Sequence, residues 1–581
     1  MEKRVFLAIF LSFLILALYQ AYVVPPAPVE EATATGEATR AAKTGAPQPA
    51  EPPATEGAVT TPAAQSAQPP AVEVLVGDTE ARDIVVETDA VRAVFSTAGA
   101  VLKSWRLKHH LQSDGEPLEL VPQQVPAALP RPFTLSTDDM ALSDVLARAL
   151  FQPSETGLAL GPSPGTLSFA YRDASGLNAR KTFHFQPEGK AYLLTVEAAV
   201  DVGALARPVA LAWGPALGSG FHTNGGSYVL PRGLVFRDGS VDRLYADDLI
   251  AEPRISGEFR FAGVEDHYFL VSVVRPETAS VQVRLEPIML PPLPSDDPAV
   301  TNPERQFVGF TVSAPGAATL PYFLGPKDFE ELRVVDQQLV RAIDFGIFAA
   351  IIVPLLGALK AIYGYVGNYG WAIIILTIVI NLAIFPLRHR SMVSMRKMQA
   401  LQPAIKGIQE RYAKYKITDP ERQKMNQEMM ALYKQKGVNP ASGCVPMLLT
   451  MPILFAFYSL LSVAIELRGA PFFGWITDLS APDPSYISPL LMGGSMMLQQ
   501  HMMPTTADPT QRKIFMMMPV MFTVMFLWFP SGLVIYWLAS NLMAIGQQAI
   551  TNRLIGPPPA PAPVKARTPG ARREEKAEKP L

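Results

Sequence analysis

Cysteine is almost missing from this chain. Cys444 is the single one among 581 residues, so neither an intrachain disulfide framework nor a four-cysteine zinc site can form. The HExxH, Walker, GxGxxG and GxSxG signatures are absent, and the seven His are scattered. Metal-assisted and nucleophilic catalysis thus have no sequence support; no cofactor is expected, and the chain reads as a non-enzyme. His222 and His267 read as ordinary surface or core histidines. Charge is also scarce. Asp, Glu, Lys and Arg make up 18% of the chain against 49% hydrophobic residues, and mean hydropathy is +0.17. Soluble domains are about one quarter charged, so membrane segments are expected. A net charge of -2 excludes a polyanion binder along the whole chain.

The N-terminus pairs Lys3 and Arg4 with an apolar run from Val5 to Val24. That run of about 20 residues can span the hydrocarbon layer. No small-x-small cleavage site precedes Pro25-Pro26, so residues 1–24 read as an uncleaved signal anchor, with a cleaved signal peptide as the alternative. Basic residues stay cytoplasmic, so the chain beyond Val24 is expected on the outer side. Residues 25–72 hold ten Pro, fourteen Ala and no aromatic residue. They cannot bury a core and read as a disordered tether.

Between 73 and 325 the pattern has period two. Val281, Val283 and Leu285 alternate with Gln282 and Arg284; Val308, Phe310 and Val312 repeat it, and Phe183 and Phe185 flank His184. Val91 to Phe95 and Val101 to Leu107 also read as strands. This predicts an exported all-β sandwich. Gly325-Pro326-Lys327-Asp328 then opens a helix, with Pro326 in its first turn and Asp328, Glu330 and Glu331 near the positive end of the dipole. Leu332, Val335, Leu339 and Ile343 form an apolar face, so 326–369 reads as an amphipathic region on the membrane surface.

Five apolar segments come next, at about 370–387, 445–465, 487–503, 514–529 and 533–550. The run from Ile347 to Leu359 holds only 13 residues before Lys360, too short to cross and better placed at the interface. Residues 388–436 carry twelve Lys/Arg against four Asp/Glu, and the tail 551–581 carries seven against three. Six spans, with a five-helix core at 370–550 and both termini cytoplasmic, put every basic segment inside.

Within 388–436, Met392, Met395 and Met398 recur every three residues; Asp419-Pro420 starts a second helix whose apolar face bears Met425 and Met429, and Gly437 and Asn439-Pro440 stop it. A cytoplasmic helical hairpin is expected. It reads either as a packed pair with a basic surface or as a docking arm for anionic lipid, a ribosome or an incoming polypeptide. Nineteen of 22 Met fall between 392 and 543; they are either membrane filler or an adaptable surface for varied apolar partners. Polar residues inside the spans fall one or two turns apart: Thr377 with Asn381, Ser495 with Gln499, Asn541 with Gln548. Such groups need partners or water. They are either interhelical hydrogen bonds or the lining of a shared hydrophilic cavity. The spans at 487–503 and 514–529 are about 25 Å long at 1.5 Å per residue, short of a bilayer core of about 30 Å.

The membrane half resembles the YidC/Oxa1/Alb3 membrane-protein insertases. The likeness is carried by Leu401-Gln402-Pro403, Gln427 to Lys434, Val438-Asn439-Pro440, Gly443 to Pro446, Met451-Pro452-Ile453, Glu466-Leu467-Arg468, Asp478-Leu479-Ser480, Phe526 to Leu533 and Ser540-Asn541. These cover about 370–550, and the anchor, tether and β domain match the layout of Gram-negative members. The resemblance implies a hydrophilic groove open to cytoplasm and lipid, lined by Thr377, Asn381, Ser495, Gln499, Tyr536, Trp537, Asn541 and Gln548. It implies a hydrophobic slide of Val445, Pro446, Met451, Pro452 and Leu454 on one span and Val520, Met521, Thr523, Met525 and Phe526 on another. It also implies a carbohydrate-binding-type β supersandwich in the periplasm, residence in the bacterial inner membrane, and nascent membrane proteins, the Sec translocon, ribosomes and signal-recognition-particle components as partners. Asn381 stands where most members of the family carry an arginine, which predicts weaker dependence on client acidity. A secondary transporter or channel is the alternative; it calls for inverted repeats, and none is visible.

Overall fold

The computed structural model describes residues 73–112, 115–123, 125–126, 129–186, 189–215, 217–218, 231–251, 254–255, 259–274, 281–291, 305–413, 415, 419–437, 445–502 and 509–555. The expected anchor and tether, most of the expected tail, His222, Asn439-Pro440 and Cys444 lie outside them. So do the side chains of Met395, Val445 and Pro446.

Three sheets build the β half. In the largest, strands run from one edge to the other as Val74–Val76, Gly165–Asp173, Leu177–Phe185, Leu193–Val202, Ala318–Pro326, Phe269–Val274, Phe261–Glu265, Arg232–Arg237 and Ser240–Leu244. A second holds Arg254–Ile255, Gln282–Leu290, Arg305–Ala314, Val209–Trp213 and Thr134–Ser136. The third holds Pro117–Glu119, Val101–Leu111, Val91–Ser96, Asp83–Thr88 and Leu158–Gly161. Alternation translates into burial as expected: Val281, Val283 and Leu285 are buried while Gln282 and Arg284 are exposed. The large sheet packs on both smaller ones through aromatic rings. Phe95 meets Phe183 at 4.5 Å between centroids, and Phe310 meets Tyr322 at 6.4 Å. Trp105 is fully buried and its Nε1 donates to the Leu324 carbonyl at 3.0 Å, which satisfies its one polar atom. The α1 helix (Met140–Arg148) and α2 (Ala246–Ala251) complete this half.

A lysine lies in that core. Lys181 is fully buried, and its Nζ donates to the carbonyls of Gly99 at 2.8 Å and Phe133 at 2.7 Å. Gly99, Ala100 and Phe133 all have positive φ, at 68°, 46° and 63°. One ammonium thus ties two turns whose backbone is costly for a side-chain-bearing residue. Burial alone lowers its pKa from 10.5 to about 7.

The entry to the helical half differs from expectation. Pro326 ends a strand, opposite Phe269, instead of opening a helix. Its missing N–H suits the last rung of a strand as well as a first helical turn. Asp328 is the N-cap of α3 (Phe329–Val335), and its side chain accepts from the backbone of Glu330 and Glu331. Leu332, Leu339 and Ile343 are buried, but α3 stops at Val335 and Leu339–Ala342 is a separate 3₁₀ turn. The apolar run ahead of Lys360 also continues beyond it. Helix α4 is Ala349–Val366, and Gly346–Val366 is long and apolar enough to cross a membrane by length and composition.

Helix α5 runs unbroken from Tyr369 to Ala400 through Pro386, and α6 spans Gln402–Arg411. Helix α7 (Pro420–Gln435) begins at the expected proline, with Asp419 accepting from the Glu421 N–H, and ends before Gly437 at φ 62°. Glu410–Gln427 belongs to a compact unit separate from the rest of the described chain. The remaining helices are α8 (Val445–Val463), α9 (Ile487–Met502), α10 (Pro509–Phe526) and α11 (Ser531–Ile555).

Ion pairs and hydrogen bonds join the β domain to the ends of these helices that face it. Buried Glu265 pairs with Arg232 at 2.8 Å, Arg243 at 2.9 Å and Lys327 at 3.2 Å. Arg243 also donates to the Ala342 carbonyl at 2.8 Å. Lys360 of α4 bridges Asp328 at 3.2 Å and Glu466, beyond α8, at 2.7 Å. Arg468 donates to the Leu111 carbonyl at 2.9 Å and covers the ring of Phe269. His267 bonds the Ser462 carbonyl near the end of α8.

Candidate functional site

The helical core holds two groups of buried polar side chains centred on α11. The first lies between α5 and α11. Thr377 Oγ1 donates to the Ile373 carbonyl at 2.6 Å, and Asn381 Nδ2 donates to the Thr377 carbonyl at 2.8 Å. Each is the i to i−4 bond by which a polar side chain satisfies itself on its own helix. Asn381 is then used twice more. Its backbone carbonyl accepts from Gln547 Nε2 at 3.0 Å, and its side-chain oxygen accepts from Arg388 Nη1 at 3.0 Å. Arg388 Nη1 also reaches Gln547 Oε1 at 3.4 Å. Further along the same seam His389 Nδ1 and the Thr551 hydroxyl are 3.3 Å apart, and Arg396 donates to Asn552.

The second group lies between α9 and α11. Asn541 Nδ2 donates to Ser495 Oγ at 3.0 Å, and Ser495 Oγ donates to the Met492 carbonyl at 2.6 Å. Two turns on, Gln548 Nε2 donates to the Met502 carbonyl at 3.4 Å. Thr377, Asn381, Ser495, Asn541 and Gln548 are all buried, and Gln499 is half-buried. Tyr536 is buried and stacks on Phe457 of α8 at 4.3 Å; Trp537 packs on Phe526 at 5.1 Å and Phe522 at 5.8 Å.

The sequence pairs Thr377 with Asn381, Ser495 with Gln499 and Asn541 with Gln548 by spacing. In the structure the first pair meets Arg388 and Gln547, and Ser495 meets Asn541 across a helix boundary. Gln547, Thr551 and Asn552 were not singled out by sequence reasoning. The signal was the Gln547-Gln548 doublet. Adjacent helical residues lie about 100° apart, so one glutamine can face α9 while the other faces α5.

The expected slide positions divide by exposure. Val520, Met521 and Met525 of α10 are exposed, together with Met516, Met517 and Val524. Thr523 is half-buried and donates to the Pro519 carbonyl at 2.7 Å. Phe526 is buried against Phe529 and Trp537. Met451, Pro452 and Leu454 of α8 are half-buried. Helices α9 and α10 approach closely at Gly493, where an added Cβ would collide with Thr523 Oγ1. Of the hairpin methionines, Met425 is buried, and Met392, Met398 and Met429 are half-buried. Among the described residues no cluster of His, Cys, Asp and Glu could hold a metal ion.

The short loop between α8 and α9 is ordered by carboxylates. Asp483 accepts from the N–H and hydroxyl of Ser488 at 2.7 and 2.6 Å and from those of Ser485 at 2.9 and 2.7 Å. Burial pushes its carboxyl up, but these hydrogen bonds outweigh it and hold the pKa down at about 2.

Two families match the chain. The one described as 60Kd inner membrane protein covers residues 361–557, and the one described as YidC periplasmic domain covers 83–358. A protein of Syntrophus aciditrophicus named membrane protein insertase YidC is 35% identical over 567 residues, covering 95% of this chain and 100% of its own. Its namesake in Citrifermentans bemidjiense is 36% identical over 96% of this chain and 100% of its own. A third, from Oleidesulfovibrio alaskensis, is 37% identical over 81% of this chain and 86% of its own.

Proposed function

The chain belongs to the YidC family of membrane protein insertases, and on that premise we propose how its core moves a client. Being an insertase, it takes nascent membrane proteins as substrates and works in a membrane. The polar part of the client enters a groove lined by Thr377, Asn381, Ser495, Gln499, Asn541 and Gln548, with Tyr536 and Trp537 at its outer end. The apolar segment leaves along the faces of α8 and α10. The observation that carries this reading is the pairing of buried side-chain amides on α5 and α11 with an exposed Met and Val surface on α10. An unpaired polar group in hydrocarbon costs several kcal/mol, on the order of 4–8 for an amide. A line of hydrogen-bonding side chains lowers that cost, and burial of the client's apolar segment drives its release, so no nucleotide site is needed.

In this proposal α4 lies along the outer face and does not cross. Both of its flanks are tied to exported groups. Asp344 sits 3.7 Å from Arg232, Lys360 pairs with Asp328 and Glu466, and Asn368 Nδ2 donates to the carbonyls of Pro471 and Phe472. The N-terminal anchor and the five core helices then make six spans, with both termini in the cytoplasm of a bacterial inner membrane. The half-buried methionines of the hairpin region and its basic character fit a docking role for ribosomes or signal-recognition-particle components. Cooperation with the Sec translocon is part of the same proposal.

The test is insertion of a small single-span client into liposomes holding only this protein, read as protease protection of the translocated tail. Protection without ATP or a translocon is expected. Its absence with correctly oriented protein, restored by adding the translocon, would replace the autonomous reading with a Sec-dependent one.

A further inference from the structure

We propose that the loop between α8 and α9 is a membrane-docking element, whose Phe473, Trp475 and Tyr486 rings enter the headgroup boundary of the phospholipid leaflet on the β-domain side. The proposal goes beyond the groove and the slide, and it rests on the reading above in which α5 and α11 cross the bilayer. Three observations carry it.

First, the loop turns these rings outward. Phe473 is 68% exposed and Tyr486 50%, and Trp475 and Ile487 are exposed as well. Ile476 and Leu479 of the same loop are buried. Gly474, between Phe473 and Trp475, has φ 62°, and Tyr486 has φ 58°. The left-handed region is costly for tyrosine, and at Tyr486 its outcome is an exposed ring beside an exposed Ile487. Contiguous exposed apolar groups of this kind mark interaction surfaces.

Second, the loop offers no cation and engages both of its anions. From Gly469 to Ile487 the charged residues are Asp478 and Asp483. Asp478 accepts from the Gly469 N–H, the Ser480 N–H and the Ser480 hydroxyl at 3.0, 2.8 and 2.7 Å. Asp483 is taken up by Ser485 and Ser488. Both carboxylates thus serve the fold of the loop.

Third, the face is continuous with the spans. Asn368, just ahead of α5, donates to the Pro471 and Phe472 carbonyls, and Trp371 of α5 packs on Phe472 at 5.5 Å. At the start of α11 the N–H groups of Ser531 and Gly532 donate to the Ala481 and Leu479 carbonyls, each at 2.8 Å. These ties hold the loop level with the ends of two helices that are long and apolar enough to cross a membrane, where exposed Trp371 and Trp528 also stand. A ring with a polar edge suits the boundary between hydrocarbon and water, so Trp and Tyr gather at that depth. Aromatic and free of Lys and Arg, the face fits lipid rather than a charged protein surface. Arg468 of the same loop donates to the Leu111 carbonyl, so docking also sets the height of the β domain above the membrane.

The experiment puts an NBD fluorophore on the full chain in a Cys444→Ser background, at Phe473→Cys, Trp475→Cys or Tyr486→Cys. Val379→Cys, at an exposed site within α5, and Met140→Cys, at an exposed site on α1, are the controls. The chains are reconstituted in phosphatidylcholine vesicles brominated near the headgroup or near the bilayer centre, with iodide as the aqueous quencher. The ratio of the two bromine signals reads depth. The loop probes should lie about 15 Å from the centre, half of a hydrocarbon core of about 30 Å, and escape iodide. Val379 should lie deeper, and Met140 should respond to iodide alone. A label-free measurement guards against disturbance by the probe: Trp475→Phe should lower the quenching of tryptophan emission by the shallow bromines, and unchanged quenching would overturn the proposal. Loop probes quenched by iodide and not by bromine, with Val379 still quenched by lipid, would overturn it too. Protection of those probes only on adding purified translocon would assign the face to a protein partner instead. A Val379 probe that escapes bromine would refute the spanning reading, and this proposal with it.

Discussion

Lys181 gives the exported domain an unusual dependence on pH. Its amine is held at about 7 in the folded chain against 10.5 when exposed, because burial disfavours the ammonium and no carboxylate compensates. The folded state therefore binds fewer protons than the unfolded state between pH 7 and 10.5, and stability rises with pH across that window. Below pH 7 the full cost of burying the charge is present; above 10.5 none of it remains. Each pH unit well inside the window contributes about 1.4 kcal/mol, so the gain from pH 7 to 9 is about 2 kcal/mol after allowing for the half-titrated start. Lys181→Met fills the same space without a titrating group. It also strands the Gly99 and Phe133 carbonyls, which makes its stability at any single pH uninformative. The informative quantity is the slope. Pulse proteolysis in urea of the full-length chain in micelles reads the exported domain. Its midpoint should rise by about 0.7 M between pH 7 and 9 in the unmodified protein, taking a urea slope near 3 kcal/mol/M. The midpoint of the variant should gain that much less over the same range. Parallel slopes in the two proteins would refute the reasoning.

Two further perturbations test the packing and the junction. Gly493→Ala should destabilise the detergent-solubilised chain by about 1–3 kcal/mol, because the new methyl group meets Thr523 Oγ1. Adding Thr523→Ala should recover most of the loss in a thermal size-exclusion assay, and an unrecovered loss would place the clash elsewhere. Glu265→Gln should cost about 3–5 kcal/mol near neutral pH by leaving buried Lys327 without its partner. Burial pushes the Glu265 carboxyl up, yet Lys327, Arg243 and Arg232 hold it down at about 2. Its contribution is therefore complete above pH 4.5 and fades toward pH 2, so acid titration of the melting temperature should flatten in the variant.

The strands were legible because one face of each sheet is wet. Gln282 and Arg284 announce the buried Val281, Val283 and Leu285 by contrast. The core segments were legible as helices from their apolar runs; among the described residues of the core, Tyr369–Met398 and Ser531–Leu554 are long and apolar enough to cross a membrane. Two kinds of feature were not. Helix ends escaped where a charged residue finds a partner: Lys360 looks like the end of an apolar run, but Asp328 and Glu466 let it sit inside a helix. Pro326 fits a strand end and a helix start equally well by local rules, and only its pairing with Phe269 separates them. In the candidate site, spacing along one helix identified Thr377 with Asn381 as a unit. Partners on other helices, Gln547 and Arg388 above all, depend on how α5 and α11 are rotated against each other. Arg388 also opens the basic stretch 388–436 that was expected in the cytoplasm, and that reading hid its inward bond to Asn381.

The hydrogen bonds of the core divide its five helices into a frame and a pair of doors. Side-chain hydrogen bonds tie α11 to α5 and to α9. The hydroxyls of Ser462 on α8 and Thr523 on α10 are turned back onto their own helices. Ring stacking and aliphatic contact hold α8 and α10 to the frame, such as Tyr536 on Phe457 and Trp537 on Phe526. In a bilayer such contacts are readily exchanged, because lipid chains are as apolar as leucine. On the proposed route, a passing hydrophobic segment would take the place of either door's neighbour at little net cost while the frame stays closed.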